Sequence, residues 1–241
     1  MATPMDGKQF SDAVRSLGVK VIERPGYLQH NREGHGNWGP VNGVLHHHTV
    51  TKGTAATVSI VDKGYADLPG PLCHGMIAKN GDLHMIGWGR ANHAGLGDPD
   101  VLAAVIAETT LPKPKRNTID GNARFYGFES ENLGDGKDPW PAAQLRTMAA
   151  VGFVLCRYHK WSERSVIGHL EWQVGKVDPR GPGVSMAGIR KATGALLRPV
   201  PKPKPPATAP KPPPVLHPVP LTTEARVALL EGRVAKLEGK G

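Results

Sequence analysis

Histidine and aspartate residues at three places in the chain have the types that bind a catalytic metal ion. Three consecutive histidines, His46–His48, lie in the segment GVLHHHTVT (43–51), and His169 stands nine residues before Asp178. Two neutral imidazoles and one carboxylate that leave a fourth position for water are the ligand set of a catalytic zinc site. The chain has 11 histidines, so spacing alone does not separate such a site from histidines that only make local hydrogen bonds.

The three consecutive histidines differ in the direction in which a strand would point them. Side chains alternate between the two faces of a strand, so a strand over 43–50 places His47 on the face opposite His46 and His48. Only one of these faces can border a given site. We therefore expect the histidines on one face to take part in chemistry and those on the other face to have a structural role.

The composition is that of a protein with one sizeable buried core. Hydrophobic residues make up 39% and charged residues 21% of the 241 residues, values typical of globular domains. No run approaches the roughly 18 apolar residues of a membrane-spanning helix, and the N-terminal segment lacks the pattern of a secretory signal. We expect synthesis in a cytoplasm and no stable membrane association. Cys73 and Cys156 are too few for a disulfide framework and are expected to be buried and reduced.

The net charge of +9 indicates an acidic partner. Nucleic acid is one such partner, but the sequence contains neither a basic recognition helix nor aromatic residues interleaved with arginine. The charge is spread along the chain, and several lysines stand among prolines in segments expected to be exposed. This pattern favours an anionic polymer such as a bacterial cell wall and disfavours a nucleic-acid binder.

The composition changes abruptly near residue 199, which divides the chain into a domain over 1–198, a linker and a C-terminal helix. The segment 199–220 is rich in proline and is predicted to be a semi-rigid polyproline II linker. Residues 221–241 have the 3-4-3 apolar spacing of a two-heptad amphipathic helix, at Val227, Leu230, Val234 and Leu237. Two heptads are marginal alone, so this helix is expected either to support homo-oligomerisation or docking, or to be a frayed tail.

Helix and strand patterns alternate over the first 198 residues. Helices are predicted after Asp6, over 141–161 and from about Ser185. Strand-like runs lie at 19–23, 43–50, 74–79, 82–87 and 123–132, with Asn80-Gly81 as a hairpin turn between the third and the fourth. The mixture predicts an α/β fold with a single mixed β-sheet flanked by helices.

Four segments, taken together, resemble one enzyme family. In chain order they are GVLHHHTVT (43–51), CHGMIAKNGDLHMIGWGRANHAG (73–95), YGFESEN (126–132) and VIGHLEWQVGKVDPRG (166–181). Over about residues 40–195 the chain is similar to the type 2 N-acetylmuramoyl-L-alanine amidases, the zinc amidase family shared by phage lysozyme-like amidases and peptidoglycan recognition proteins. The order of domain and proline-rich linker further resembles a phage endolysin.

The resemblance implies one Zn²⁺ ion and its ligands. The family's first ligand corresponds to His47, which would leave His46 and His48 as neighbours on the opposite face. Its second ligand corresponds to His169, and its third, a Cys or Asp before proline, corresponds to Asp178.

The resemblance also implies two catalytic residues. Family members move the proton with either a tyrosine or a glutamate, and Cys73 occupies the position expected for the tyrosine, so Glu129 is the predicted general base. Lys176 corresponds to a cation that stabilises the oxyanion. The alternatives are an ion-pair partner at a strand edge for Glu129 and a solvated surface lysine for Lys176.

Three further residues are predicted to bind substrate. His93 matches a family histidine beside the cleft and would contact the oxyanion or the muramyl group, unless it stabilises a turn. Glu131, two residues after Glu129, would contact substrate or only a cation. Trp88, like Trp140 and Trp172, would line a groove for sugar or peptide, unless it belongs to the core.

The predicted function is zinc-dependent hydrolysis of the N-acetylmuramoyl-L-alanine amide bond in bacterial peptidoglycan, by a phage endolysin that causes host lysis. The enzyme would be made in the host cytoplasm and act at the cell wall after release. Two alternatives are a non-catalytic peptidoglycan-binding module and a metallopeptidase that cuts within the stem peptide.

Overall fold

The computed structural model describes residues 2–198 and, beyond them, Thr223 alone. The predicted linker over 199–220 and the predicted helix over 221–241, with its four heptad residues, lie outside the described residues and stay predictions. Among the described residues, no helix combines the length and the apolar character that crossing a membrane requires.

A six-stranded mixed sheet forms the centre of the fold. Its strands are β1 (Val21–Glu23), β2 (Gly43–His48), β3 (Gly75–Ile77), β4 (Leu83–Met85), β7 (Phe125–Ser130) and β8 (Val166–Gly168), in the spatial order β1-β4-β3-β7-β2-β8. Only the β3–β4 pair is antiparallel; the other four pairs are parallel. A separate two-stranded sheet pairs β5 (Leu96–Gly97) with β6 (Ile119–Asp120). The predicted α/β class with one main mixed sheet is confirmed.

Helices cover both faces of the main sheet. Their bounds are α1 (Gly7–Arg15), α2 (Thr54–Lys63), α3 (Pro99–Ile106), α4 (Ala142–His159), α5 (His169–Trp172) and α6 (Met186–Leu197). One hydrophobic cluster joins α1, α4 and α6 to the sheet, and a second joins α3 and α5 to it. Val44 belongs to the first cluster and Leu45 to the second, so side chains of β2 alternate between the faces as the sequence predicted.

Local signals explain several element boundaries. Asp6 caps α1 by accepting a hydrogen bond from the backbone N–H of Gln9 at 2.9 Å. The hairpin between β3 and β4 turns at Asn80-Gly81, where Gly81 has a φ of +89°. The helix predicted over 141–161 begins at Ala142, and Pro141 stands at its N-cap with extended backbone.

Three of the six helices α1–α6, namely α2, α3 and the four-residue α5, were not predicted from the sequence. The segment of α2, TAATVSIVDK, is rich in β-branched residues, which favour strands. The start of α3 carries a signal that was available: Asp98 caps the helix and Pro99 occupies its first turn.

Candidate metal centre and active site

Three side chains from separate elements converge at the carboxyl end of β2. The Nδ1 atoms of His47 and His169 lie 3.0 Å apart, and Oδ2 of Asp178 lies 3.2 Å from the first and 3.1 Å from the second. Ligands 2.0–2.1 Å from a tetrahedral zinc ion are about 3.3 Å from one another. The donor types and their spacing therefore fit a zinc ion held by these three residues.

The parallel strands β7, β2 and β8 explain this convergence. His46 on β2 is paired with Gly168 on β8, so the next residues, His47 and His169, stand at the same level of the sheet. Asp178 follows in the loop after α5, and its carbonyl accepts a hydrogen bond from the N–H of Leu170 at 2.7 Å. This bond closes the loop and brings the carboxylate of Asp178 next to His169.

Burial and mutual contact set the charge of the three groups. Only 1% of the His47 side chain is exposed, and burial, followed by the neighbouring His169, lowers the pKa of His47 to about 4. Burial alone would raise the pKa of Asp178, but hydrogen bonds with His169 and His47 hold it below its ordinary value. At neutral pH the site therefore presents a neutral imidazole and an ionised carboxylate, the forms that bind metal.

The outer nitrogen of each histidine also has a partner. Nε2 of His47 lies 3.2 Å from Nδ1 of His93, and Nε2 of His169 lies 2.8 Å from Oε1 of Gln173. Gln173 was not recognised in the sequence. Its signal was its position four residues after His169, which puts the two side chains on one helical face.

Glu129 stands beside the trio on β7. It is paired in register with His47 on the neighbouring parallel strand, so the two side chains share a face of the sheet. Its Oε2 atom is buried and has no hydrogen-bond partner among the described residues. Burial, and then the charge of Asp178, raise the pKa of Glu129 well above its ordinary value, while Lys176 opposes the shift. An unpaired carboxyl of this kind is suited to accept and return a proton.

Lys176 lies on the exposed loop that leads to Asp178. Its backbone N–H donates to the carbonyl of Gln173, and its ammonium has no carboxylate partner within residues 2–198. The positive charge is near enough to lower the pKa values of both His47 and Glu129. These relations place an exposed cation at the edge of the site.

Both ring nitrogens of His93 have partners inside the protein. Only 9% of the residue is exposed, and its Nε2 atom lies 3.3 Å from the carbonyl oxygen of Phe125. The other ring nitrogen faces His47. His93 therefore supports a candidate ligand, and its contact with the oxyanion or the muramyl group stays a prediction.

Glu131 also has a structural partner in place of the predicted substrate. Strand β7 ends at Ser130, and the two carboxylate oxygens of Glu131 accept from the N–H of Gly53 at 2.8 Å and the hydroxyl of Thr54 at 2.7 Å. These contacts hold the N-terminus of α2, because its N-cap residue, Gly53, has no side chain that could cap the helix.

Trp88 belongs to the core, the alternative considered for it in the sequence. It is 8% exposed, stacks on Phe10 at a centroid distance of 5.0 Å and donates its indole N–H to the carbonyl of Met5. Trp140 and Trp172 are buried as well. The structure thus gives these three tryptophans packing roles, and the groove stays a prediction.

Cys73 and Cys156 are both buried and free. Burial, and then the neighbouring Glu129, raise the pKa of the Cys73 thiol well above its ordinary value. The residue at the position of the family's tyrosine is therefore a protonated thiol next to Glu129, which leaves the carboxyl as the stronger proton acceptor of the two.

The remaining histidines of the triplet face away from the trio. His46 is buried, and its ring lies 6.3 Å from that of Phe128 in the cluster beneath α4. His48 accepts a hydrogen bond at Nδ1 from the N–H of Arg180. His47 alone of the three presents a nitrogen to the other candidate ligands.

A family model described as N-acetylmuramoyl-L-alanine amidase matches residues 37–181, more than half of the chain. No curated protein sequence matches the chain.

Solved structures with a similar fold include three bacterial proteins. The endolysin N-acetylmuramoyl-L-alanine amidase LysCS from Clostridium intestinale URNW is 17% identical, with 71% of this chain and 93% of that chain covered and a TM-score of 0.45. The N-acetylmuramyl-L-alanine amidase AmiD from E. coli is 14% identical, with 71% of this chain and 65% of that chain covered and a TM-score of 0.48. The hydrolase AmiA from Staphylococcus aureus is 12% identical, with 78% of this chain and 89% of that chain covered and a TM-score of 0.47.

Proposed function

Since the chain belongs to the N-acetylmuramoyl-L-alanine amidase family, we propose that it uses one zinc ion to hydrolyse the amide bond between the lactyl group of N-acetylmuramic acid and L-alanine in bacterial peptidoglycan. The observation that carries the proposal is the convergence of His47, His169 and Asp178, with donor atoms 3.0–3.2 Å apart, beside a glutamate whose Oε2 atom is buried and unpaired. These are the ligands and the base that amide hydrolysis requires.

The three converging residues would hold the zinc ion. Two imidazole nitrogens and one carboxylate oxygen form an open set, which leaves a position for water or substrate. When bound, zinc polarises the scissile carbonyl and lowers the pKa of a water molecule.

Glu129 would move the proton. Its carboxylate accepts a proton from the attacking water and, once protonated, donates it to the nitrogen of the departing L-alanine. The raised pKa of Glu129 suits the second step, because burial makes its carboxyl hold the accepted proton until the leaving nitrogen takes it. Lys176 would approach the oxygen that becomes negative during attack, since its ammonium has no carboxylate partner within residues 2–198 to hold it elsewhere.

The net charge of +9 would bring the enzyme to its polymer. Peptidoglycan and the polymers attached to it are anionic, and long-range attraction of this kind weakens as salt shortens the screening length. Binding to purified cell walls is expected to fall between low and high salt, and an uncharged variant of the exposed lysines would lose that salt dependence.

The proposal includes a biological setting. The protein would be a phage endolysin, present in the host cytoplasm and released to the wall at lysis. Support comes from the resemblance of the four sequence segments and of the predicted order of domain and linker. The test is to express the chain in a host with and without a separate pore-forming protein: lysis only with the pore supports the setting.

Mass spectrometry of digested peptidoglycan tests the reaction itself. Purified sacculi are incubated with the protein alone, with a chelator, and with zinc restored after chelation. Release of stem peptides with a free N-terminal L-alanine, lost with chelator and regained with zinc, is the expected result. Cuts inside the stem peptide would replace the amidase by a metallopeptidase, and wall binding without cleavage would replace it by a binding module.

A further inference from the structure

We propose that His93 and Gln173 are positioning residues that fix His47 and His169 in the tautomer whose Nδ1 lone pair faces the metal site. The proposal rests on the metal site of the proposed function and extends it to two residues outside the ligand set. It is carried by hydrogen bonds whose directions are determined by what each partner can donate or accept.

The direction of the His93 bonds follows from a carbonyl. Nε2 of His93 lies 3.3 Å from the oxygen of Phe125, and a carbonyl oxygen can only accept, so neutral His93 carries its proton on Nε2. Its Nδ1 is then an acceptor, 3.2 Å from Nε2 of His47. His47 then donates from Nε2, and its Nδ1, which faces His169 and Asp178, is the nitrogen that would bind the metal.

The position of the His93 ring is itself fixed by neighbours. The N–H groups of His93 and Ala94 both donate to Oδ1 of Asn122, at 2.9 and 2.7 Å. Gly127 on β7 faces the ring, and a Cβ at that position would overlap it. The ring therefore fits only because this strand position has no side chain, and it meets His47 edge-on at an interplanar angle of 84°.

Gln173 acts on the second imidazole in the same way. Nε2 of His169 lies 2.8 Å from Oε1 of Gln173, and the amide oxygen can only accept. His169 therefore carries its proton on Nε2 and presents Nδ1 to the site. The two residues stand four apart, at the beginning and just past the end of the short helix α5, so the bond is local and does not depend on the His93 arrangement.

Both bonds have one consequence for metal binding. An imidazole in the other tautomer would place an N–H where the lone pair must be, and rotation would be needed before it could bind. Partners of this kind are worth about 10- to 100-fold in metal affinity. We expect each of the two partners to contribute within this range.

NMR of the ¹⁵N-labelled full-length protein tests the tautomers directly. Two-bond ¹H–¹⁵N correlations distinguish Nδ1–H from Nε2–H, and single substitutions His47→Gln and His169→Gln assign the signals. In the zinc-loaded protein both rings are expected as the Nε2–H form, because Nδ1 of each ring faces the metal site. An Nδ1–H form of either ring would overturn the assignment of its partner.

Zinc affinity of matched variants tests the energetic contribution. Gln173→Met removes the acceptor and Gln173→Glu keeps it; His93→Phe removes the acceptor and His93→Asn keeps an oxygen near the place of Nδ1. Competition with a chromophoric chelator is expected to show a 10- to 100-fold higher zinc Kd for the first variant of each pair and near recovery for the second. Equal Kd values within a pair would overturn the proposal.

Two controls separate this proposal from folding and from the reaction. His84→Asn changes a histidine on β4 outside the metal site and should leave the zinc Kd unchanged, and melting curves without zinc report any folding defect. Because Gln173 is only partly buried, its variants are expected to fold even if His93→Phe does not. A protein that binds zinc with these tautomers but leaves peptidoglycan intact would refute the proposed function and keep this inference.

Discussion

Substitution of Glu129 by glutamine separates proton transfer from metal binding. The change keeps the shape of the side chain, and Glu129 is not among the three residues whose donor atoms converge, so zinc affinity should be retained. General acid–base groups contribute about 10²- to 10⁴-fold to rate. Glu129→Gln is therefore expected to lower kcat by that factor, about 2.7–5.4 kcal/mol of activation free energy.

The same substitution has an opposite effect on stability. In the unfolded chain a glutamate ionises near pH 4.3, whereas burial keeps Glu129 of the metal-free folded protein protonated to higher pH. The folded state therefore binds more protons above about pH 4, and the free energy of unfolding falls as pH rises toward the folded pKa. Glutamine does not ionise, so metal-free Glu129→Gln should melt higher than the wild type at pH 7 and show a smaller difference at pH 4.

The measurements are turnover of purified sacculi, zinc titration and melting temperature at the two pH values. Glu131→Gln is the matched control: it replaces the same residue type two positions away, where both carboxylate oxygens bind Gly53 and Thr54. It should lose about 1–2 kcal/mol of stability and keep kcat within a few-fold. A Glu129→Gln enzyme that retains its kcat within tenfold would refute the assignment of the base, and a pH-independent difference in melting temperature would refute the reasoning about its charge.

Three further sets of substitutions test the candidate ligands, Lys176 and Trp88. Replacing any one of His47, His169 or Asp178 by alanine should abolish both activity and the rise in melting temperature on zinc addition; full lytic activity in any of them is incompatible with the metal centre. Lys176→Ala should lower kcat by about 10²–10³ with little change in KM, since one oxyanion donor is worth that much, and Lys176→Arg should recover part of it; an unchanged kcat assigns the lysine to solvent. Trp88→Ala should cost about 3–5 kcal/mol of stability as measured by denaturant unfolding, and a stable variant with a raised KM would return Trp88 to the substrate groove.

Local patterns in the sequence were sufficient for much of the fold. The cap at Asp6, the turn at Asn80-Gly81 and the alternation of side chains along β2 depend on neighbours a few residues away, and the structure has all three. The family resemblance named the three residues that converge. Short-range rules did not find α2, because its β-branched residues favour a strand and its N-terminus is held by Glu131, which is distant in the sequence.

The contacts of Glu131, Trp88 and His93 could not be predicted from the sequence, because they depend on segments that are distant in the chain. Alternation would carry Glu131 onto the face of Glu129 only if the strand continued, and β7 ends one residue earlier. Trp88 is buried because Phe10 of α1 stacks on it. His93 turns toward His47 because Gly127, on another strand, leaves space for its ring. None of these causes is visible within a few residues of the side chain it determines.

The arrangement of the sheet determines which histidine of the triplet does chemistry. Strands β7, β2 and β8 are parallel neighbours, so Glu129, His47 and the residue that follows β8, His169, stand side by side at one level. One face of that level is closed by α4, and His46 is buried there against Phe128. The other face receives Asp178 from the loop after α5. A shift of β2 by one residue would turn His47, the candidate ligand on that strand, toward the face closed by α4 and bring a neighbouring histidine to the site, so the whole site depends on strand register.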